Sequence, residues 1–210
     1  MNGLELAWNN LCNLDPHPVC KKAQVEFEND RYKVEFLKTS YLIPLIGGVR
    51  DGSNIPDIKE IRIESFPAAK VSFDLCLVLL NYLVLAKEIE LANKWVSPKD
   101  LKGGEFFFSE TGTHNIENPS FLEIFNKFPD KLIEVGKRLG GESVPYGDRA
   151  ISFFALPRIP ITYILWLGDD EFPARMTILL DSTSGIHIPL DILYALINIT
   201  TKRLVEMARL

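Results

Sequence analysis

The alternation of apolar and polar residues is clearest between residues 151 and 191, where short apolar runs are separated by turn residues. Residues 151–156 (ISFFAL), 161–167 (ITYILWL) and 175–180 (RMTILL) are rich in β-branched and aromatic side chains, so they predict three strands. A proline-bounded break, Pro157 to Pro160, separates the first two, and GDDEFP at 168–173 predicts the turn before the third.

The N-terminal part of the chain predicts two short helices followed by strands. Apolar residues recur at helical intervals between Leu4 and Leu14, and Asp15 followed by Pro16 predicts the N-cap and first position of a second helix that ends at Ala23. Further apolar runs predict strands at 32–37, 41–44 and 61–63, with turns at 47–48 and 51–54.

The middle of the chain and its C-terminal end predict mainly helices. The segment 71–87 is apolar on nearly every side and too long for a strand, so it predicts a helix buried in the core. Ser97 followed by Pro98 predicts a short helical turn, and the next apolar segment, 105–108, is predicted to be extended. One amphipathic helix is predicted for residues 119–139, with Gly140-Gly141 ending it. Pro189 predicts the start of the last helix.

Together these elements predict an α+β fold in one domain spanning residues 1–210. We expect a mostly antiparallel sheet with packed helices, including a C-terminal hairpin followed by a helix. A length of 210 residues and a hydrophobic content of 47% suit one large core, and no repeat or long linker divides the chain.

Charge and hydropathy exclude several classes of partner. A net charge of -5 argues against binding nucleic acid, which requires a basic surface to neutralise phosphates. No basic segment followed by an apolar run opens the sequence, and the longest apolar stretch is too short to cross a bilayer. We therefore expect no nucleic-acid and no membrane partner, and a cytoplasmic location.

Three cysteines, Cys12, Cys20 and Cys76, are an odd number without paired spacing, which favours reduced thiols. No Cys-x-x-Cys occurs, so no iron–sulfur cluster is expected on this chain. Cys12, His17 and Cys20 lie close together, but their spacing matches no standard zinc site and a fourth ligand is missing nearby, so no metal site is predicted there.

Two residues stand out as candidates for binding a cofactor. His114 follows an aromatic segment in a loop, where an imidazole could contact a metal, a tetrapyrrole or an anion, or simply bond to backbone. Arg158 lies between two prolines that restrict the backbone, so its guanidinium would point in one direction and could capture a carboxylate or phosphate. The alternative for Arg158 is an ion pair with a structural acid such as Asp148 or Asp181.

Acidic residues form a further candidate group. Asp169, Asp170 and Glu171 could hold a hard cation, although they lack the spacing of a calcium loop and suit the solvated tip of a hairpin. Asp148 and Asp170 join His114 and Arg158 as predicted cofactor-binding residues, and no catalytic or metal-ligating residue is assigned. His187 is interpreted as a core histidine. The sequence contains no nucleophile elbow, P-loop or dinucleotide-binding glycine motif.

Segments along nearly the whole chain carry a resemblance to one family. In order they are Ala7-Trp8, 79–83 (LLNYL), 95–97 (WVS), 101–104 (LKGG), Phe107-Phe108 with His114, 147–150 (GDRA), 156–160 (LPRIP), 165–173 (LWLGDDEFP), Leu180-Asp181 and Ile188-Pro189. They resemble the uncharacterised domain-of-unknown-function 3786 family of anaerobic bacteria and archaea, whose members are often labelled iron–sulfur proteins. His114, Arg158 and Asp170 lie within these motifs, whereas Asn81 stands where the family has a histidine.

The resemblance implies an anaerobic host and a link to one-carbon or corrinoid metabolism, and it fixes no reaction. Our first hypothesis is a non-enzymatic binding or accessory domain for an anionic cofactor, a tetrapyrrole or corrinoid being the sharpest case, with His114 at its centre and Arg158 on a carboxylate. The alternatives are a hydrolase or transferase with an Asp/Glu–His pair, and a protein–protein adaptor.

Overall fold

Two antiparallel sheets and eight α-helices make up the described part of the molecule, which in this computed structural model comprises residues 3–45, 61–64, 70–109 and 114–210. The helices are α1 (Gly3–Cys12), α2 (Pro16–Ala23), α3 (Phe73–Leu85), α4 (Gly104–Phe107), α5 (Pro119–Lys127), α6 (Pro129–Arg138), α7 (Ser184–His187) and α8 (Leu190–Ala208). The strands are β1 (Glu26–Glu28), β2 (Arg31–Phe36), β3 (Thr39–Pro44), β4 (Arg62–Ile63), β5 (Trp95–Val96), β6 (Glu142–Ser143), β7 (Arg149–Leu156), β8 (Ile159–Trp166) and β9 (Arg175–Asp181). The α+β prediction is confirmed.

The strands are arranged in two separate sheets. The first has the order β1-β2-β3-β4 and the second β5-β9-β8-β7-β6, and every neighbouring pair is antiparallel. Strands β7 and β8 form the predicted hairpin, in which Ile151 pairs with Tyr163, and β9 adds to it as the predicted third strand. The backbone N–H of Leu37 donates to the carbonyl of Ala155 at 3.3 Å, which links the two sheets.

Helix α3 lies at the centre of the core, as its apolar sequence predicts. It packs against α1, α2 and α8, and most of its side chains are fully buried. Its N-cap is Ser72, whose hydroxyl accepts a hydrogen bond from the N–H of Leu75 at 3.3 Å. One continuous apolar cluster includes α3, α1, α8 and residues of both sheets. The described helices include none that is both long and apolar enough to cross a lipid bilayer.

Two sequence predictions of secondary structure are wrong. The segment predicted to be extended at 105–108 is helical, because α4 begins immediately after Gly103, whose positive φ of 80° turns the chain. The single helix predicted for 119–139 is broken at Phe128, because the residue before Pro129 is driven out of the helical conformation and adopts φ -132° and ψ 71°. The turns predicted at 47–48 and 51–54 lie outside the described residues.

Candidate functional site

Arg158 lies in the tight turn between β7 and β8, and its guanidinium is bound to backbone. Its Nη1 donates to the carbonyl of Ile89 at 2.8 Å, its Nη2 to that of Lys21 at 3.2 Å, and its Nε to that of Lys22. The side chain is 7% exposed. Each of the three nitrogens therefore donates to a carbonyl group, two of these carbonyls lie in the last turn of α2, and the guanidinium is held mainly by backbone.

Tyr82 completes the arrangement around Arg158. Its hydroxyl donates to the carbonyl of Ala23 at 2.7 Å and accepts from the backbone N–H of Arg158 at 3.1 Å. Burial raises the pKa of Tyr82 far above its usual value, so the hydroxyl keeps its proton. The last three carbonyls of α2 are thus bound by two side chains from distant parts of the chain.

His114 belongs to a cluster of aromatic side chains. Its ring stacks on Phe107, with centroids 4.0 Å apart, and meets the edge of Tyr194 at 5.0 Å. Phe107 belongs to α4 and Tyr194 to α8, and neither takes part in the hydrogen bonds that hold Arg158. The structure gives the two residues different neighbours, so a single pocket containing both is not supported.

Asp148 and Asp170 lie at the end of the hairpin opposite Arg158. Asp148 precedes β7, and Asp170 lies in the turn between β8 and β9, whereas Arg158 connects the other ends of β7 and β8. The Oδ2 of Asp148 accepts the N–H of Leu167 at 2.8 Å, and this bond joins the two loops. Asp170 itself is exposed.

An open cleft of about 500 Å³ occupies this end of the sheet. Its lining consists of two acids, one base and a larger apolar surface: Asp148, Asp169, Arg175, Trp166, Leu167, Phe172 and Pro173. Sequence reasoning placed Asp148 at a site but missed Trp166, Phe172 and Arg175. The sequence pattern that could have indicated these residues is a tryptophan at the end of one strand and an arginine at the start of the next, with an acidic turn between them.

The base of the cleft is held by stacked and hydrogen-bonded groups. The guanidinium of Arg175 lies 4.8 Å from the centroid of the Trp166 ring, which is cation–π geometry. The indole Nε1 of Trp166 donates to the hydroxyl of Thr177 at 3.2 Å, which fixes the ring. Phe172 is 67% exposed and Leu167 is also exposed, so an apolar surface is available to a ligand.

Backbone geometry positions the two acids of the cleft. Gly147 has a φ of 53°, and a Cβ there would lie 2.6 Å from a methyl group of Ile164, so the turn that presents Asp148 requires glycine. The Oδ1 of Asp169 accepts the N–H groups of Phe172 and Glu171, and these two bonds lower the pKa of its carboxyl. Asp169 is therefore a fixed negative charge at neutral pH.

A second group of polar residues is buried away from the cleft. His187 is fully buried, and its Nδ1 accepts the N–H of Lys87 at 3.3 Å, while its Nε2 has no partner among the described residues. Burial, and then the charge of Arg158, lower the pKa of His187 to about 4, so the ring is neutral at pH 7. Burial would raise the pKa of Asp181, but hydrogen bonds from Thr183, Ala92 and Asn93 outweigh it and lower the pKa.

The cysteines form no metal centre with their described neighbours. Across residues 3–45, 61–64, 70–109 and 114–210 no three His, Cys, Asp or Glu side chains are grouped so that they could hold a metal ion. Cys12 and Cys20 are half-buried and Cys76 is buried, and burial raises the pKa of all three thiols. The absence of an iron–sulfur cluster stays a prediction.

Comparison with known proteins gives one finding. Residues 15–203 match the family described as Domain of unknown function (DUF3786). No curated protein and no solved structure matches the chain.

Proposed function

The chain belongs to the DUF3786 family, and we propose that it is a non-enzymatic domain whose cleft at Asp148, Trp166 and Arg175 binds a planar anionic cofactor of the tetrapyrrole class. The observation that carries the proposal is an arginine lying on a tryptophan beside an exposed phenylalanine. Its proposed setting is anaerobic one-carbon metabolism, as the family resemblance implies, and the proposed location is the cytoplasm.

The size and lining of the cleft support a small-molecule ligand. Its volume of about 500 Å³ lies within the range of roughly 300–1,000 Å³ found for ligand sites. The exposed ring of Phe172, together with Leu167 and Pro173, offers a surface for the face of a macrocycle. Sites of this kind combine an apolar wall with a few polar groups that orient the ligand.

Arg175 is the group that recognises the negative charge. Its guanidinium donates to no carboxylate among the described residues and is exposed, so its N–H groups are available for a ligand carboxylate. Asp148 and Asp169 bound the cleft on the other sides, and their charge repels carboxylates placed anywhere except against Arg175. The acids thereby orient the ligand.

The cleft lining includes no histidine, cysteine or methionine among the described residues. A tetrapyrrole held there would be bound through its ring face and its carboxylates, without an axial ligand from these residues. We therefore expect metal-free protoporphyrin IX to bind about as tightly as haem. Cyanocobalamin carries amides in place of these carboxylates, so we expect it to bind more weakly than protoporphyrin IX.

The test is a titration of the full chain with protoporphyrin IX, haem and cyanocobalamin. Binding is measured by quenching of tryptophan fluorescence and by changes in the visible spectrum. Arg175→Met should weaken binding about tenfold or more, because one charge-assisted hydrogen bond is worth about 1.5–3 kcal/mol. Arg138→Met is the matched control, because Arg138 is an exposed arginine that pairs with Glu134 on α6.

Three results would contradict the proposal. The first is that none of the three compounds binds. The second is that the wild type and Arg175→Met bind protoporphyrin IX equally well. The third is that His114→Ala loses this binding while Arg175→Met keeps it. The last result would assign the site to the aromatic cluster of His114 instead of the cleft.

A further inference from the structure

A second cavity, of about 270 Å³, lies between the first sheet, the start of α3 and the C-terminal half of α8. The apolar part of its lining includes Phe36, Ile63, Leu75 and Ile199. The polar part consists of Tyr41, Lys70, Ser72, Asp74, Lys202, Arg203 and Glu206. It shares no residue with the cleft at Arg175, so it is a separate candidate site.

Tyr41 is the buried polar group of this cavity. Its side chain is only 5% exposed and lines the cavity. Burial raises the pKa of Tyr41 and the nearby charge of Arg203 opposes that rise, so the hydroxyl is protonated at neutral pH and can donate. A ligand oxygen in the cavity would accept a hydrogen bond from this hydroxyl.

Some charged side chains of the lining form ion pairs with described residues, and others do not. Lys202 lies 3.9 Å from Glu206, a helical ion pair one turn apart. Lys70 and Arg203 form no ion pair within the described residues, and Asp74 is the remaining acid. Among the described residues, three bases and two acids give the lining one net positive charge, which suits an anion.

Helix α3 adds its positive end to the same place. The hydroxyl of Ser72 accepts the N–H of Leu75, which leaves other first-turn N–H groups of this 13-residue helix beside the cavity. The helix dipole favours negative charge there.

We propose that this cavity binds a small organic oxyanion, with its phosphate or carboxylate head at Arg203, Lys70 and the Tyr41 hydroxyl and its short apolar body against Ile63, Leu75 and Ile199. The head would accept a hydrogen bond from the Tyr41 hydroxyl and place a negative charge beside Arg203. The apolar body would cover the wall formed by the sheet and the two helices.

The probes are phenyl phosphate, benzoate and benzyl alcohol, which share one ring and differ in the head group. Binding to the full chain is measured by calorimetry at low ionic strength. We expect at least one of the two anions to bind and benzyl alcohol to bind at least about tenfold more weakly, because the charge-assisted hydrogen bonds are lost. Binding of phenyl phosphate alone identifies phosphate as the head group, and binding of benzoate alone identifies carboxylate.

Two variants locate the binding. Arg203→Met should weaken binding of the anion about tenfold, and Tyr41→Phe should weaken it severalfold while keeping the ring that packs 6.3 Å from Phe36. Arg209→Met is the control, because Arg209 follows α8 and does not line the cavity. Thermal unfolding of each variant shows that it is folded.

The proposal is overturned if neither anion binds, if benzyl alcohol binds as well as the anions, or if Arg203→Met and Tyr41→Phe bind like the wild type. It stands independently of the tetrapyrrole cleft. Arg175→Met should bind the anion normally and Arg203→Met should bind protoporphyrin normally, so failure of either proposal leaves the other one measurable.

Discussion

At the scale of single residues, His187 shows how burial selects one protonation state. Its Nδ1 accepts the N–H of Lys87, so the ring proton resides on Nε2, and the whole side chain is buried. The pKa of His187 is lowered to about 4 from an ordinary value of 6.5. The unfolded chain therefore binds a proton between these two pH values and the folded chain does not.

The direction of the pH dependence follows from this difference. The stability that neutral His187 contributes is fully present above about pH 6.5 and is lost as the pH falls toward 4, because protonation favours the unfolded chain. The loss reaches about 3 kcal/mol if the full shift is realised. We expect His187→Asn, which retains an acceptor for Lys87 but cannot titrate, to show a smaller decrease over the same range.

Urea unfolding at several pH values between about 4 and 7 measures the free energy of unfolding of the wild type and of His187→Asn. The two chains carry the same carboxyl groups, so the difference between their curves reports the titration of His187 together with its coupling to Asp181. Parallel curves would show that the histidine takes up its proton equally in both states, which would contradict the lowered pKa.

At the scale of elements, the hairpin β7–β8 stabilises the end of helix α2. Arg158 in its turn binds the carbonyls of Lys21 and Lys22, and Tyr82 of α3 binds that of Ala23. A helix of eight residues is unstable alone, so these bonds and the burial of its apolar side chains are what hold it. The hairpin turn is therefore a structural clamp on a distant helix.

We expect Arg158→Met to lower the free energy of unfolding by about 3 kcal/mol, because the partly buried carbonyl groups of Lys21, Lys22 and Ile89 lose their charged donor. Urea denaturation measures the change. Arg175→Met is the matched comparison, because Arg175 is exposed and its loss, including its cation–π contact with Trp166, should change the stability by less than about 1 kcal/mol. A stable Arg158→Met variant that had lost ligand binding would instead assign Arg158 to a binding site.

Local pattern predicted most elements, and it failed where a single residue overrides its neighbours. Helix α8 and strands β7, β8 and β9 follow from apolar spacing, and the N-cap at Asp15 is confirmed by its bond from the N–H of His17. The break at Phe128 was readable from the proline after it, but the apolar spacing continues across the break and predicted one helix.

The candidate site was predictable only in part, because its geometry is set by contacts between distant residues. The sequence indicated Asp148 and the acidic turn, and these do meet through the N–H of Leu167, 19 positions away from Asp148. The partners of Arg158 lie 69 to 137 positions away, and no local pattern records such distances. Proline bracketing predicted a fixed guanidinium but could not predict that it points inward.

At the scale of the whole molecule, one apolar cluster connects both sheets with the central helix. Cys76 lies in α3 within this cluster, is fully buried, and has a pKa raised to about 12 by burial. Its thiol therefore reports opening of the core. Cys12 and Cys20 lie at the margin of the same cluster and are half-buried.

We expect iodoacetamide to modify Cys76 at least about a thousandfold more slowly in the native protein than in urea, because reaction requires opening of the core. Cys12 and Cys20 serve as controls in the same molecule and should react earlier. Peptide mapping by mass spectrometry gives the three rates. Modification of Cys76 as fast as the other two thiols would show that α3 opens without unfolding of the core.

The clamp on α2 also bears on the order in which the protein acquires structure during synthesis. Lys22 leaves the ribosome long before Arg158, which follows it by 136 residues. During most of translation, helix α2 of the nascent chain therefore lacks the hydrogen bonds that Arg158 provides, and it is accessible to proteases and chaperones. Synthesis of the β7–β8 hairpin is the step that completes these hydrogen bonds and ends this period of accessibility.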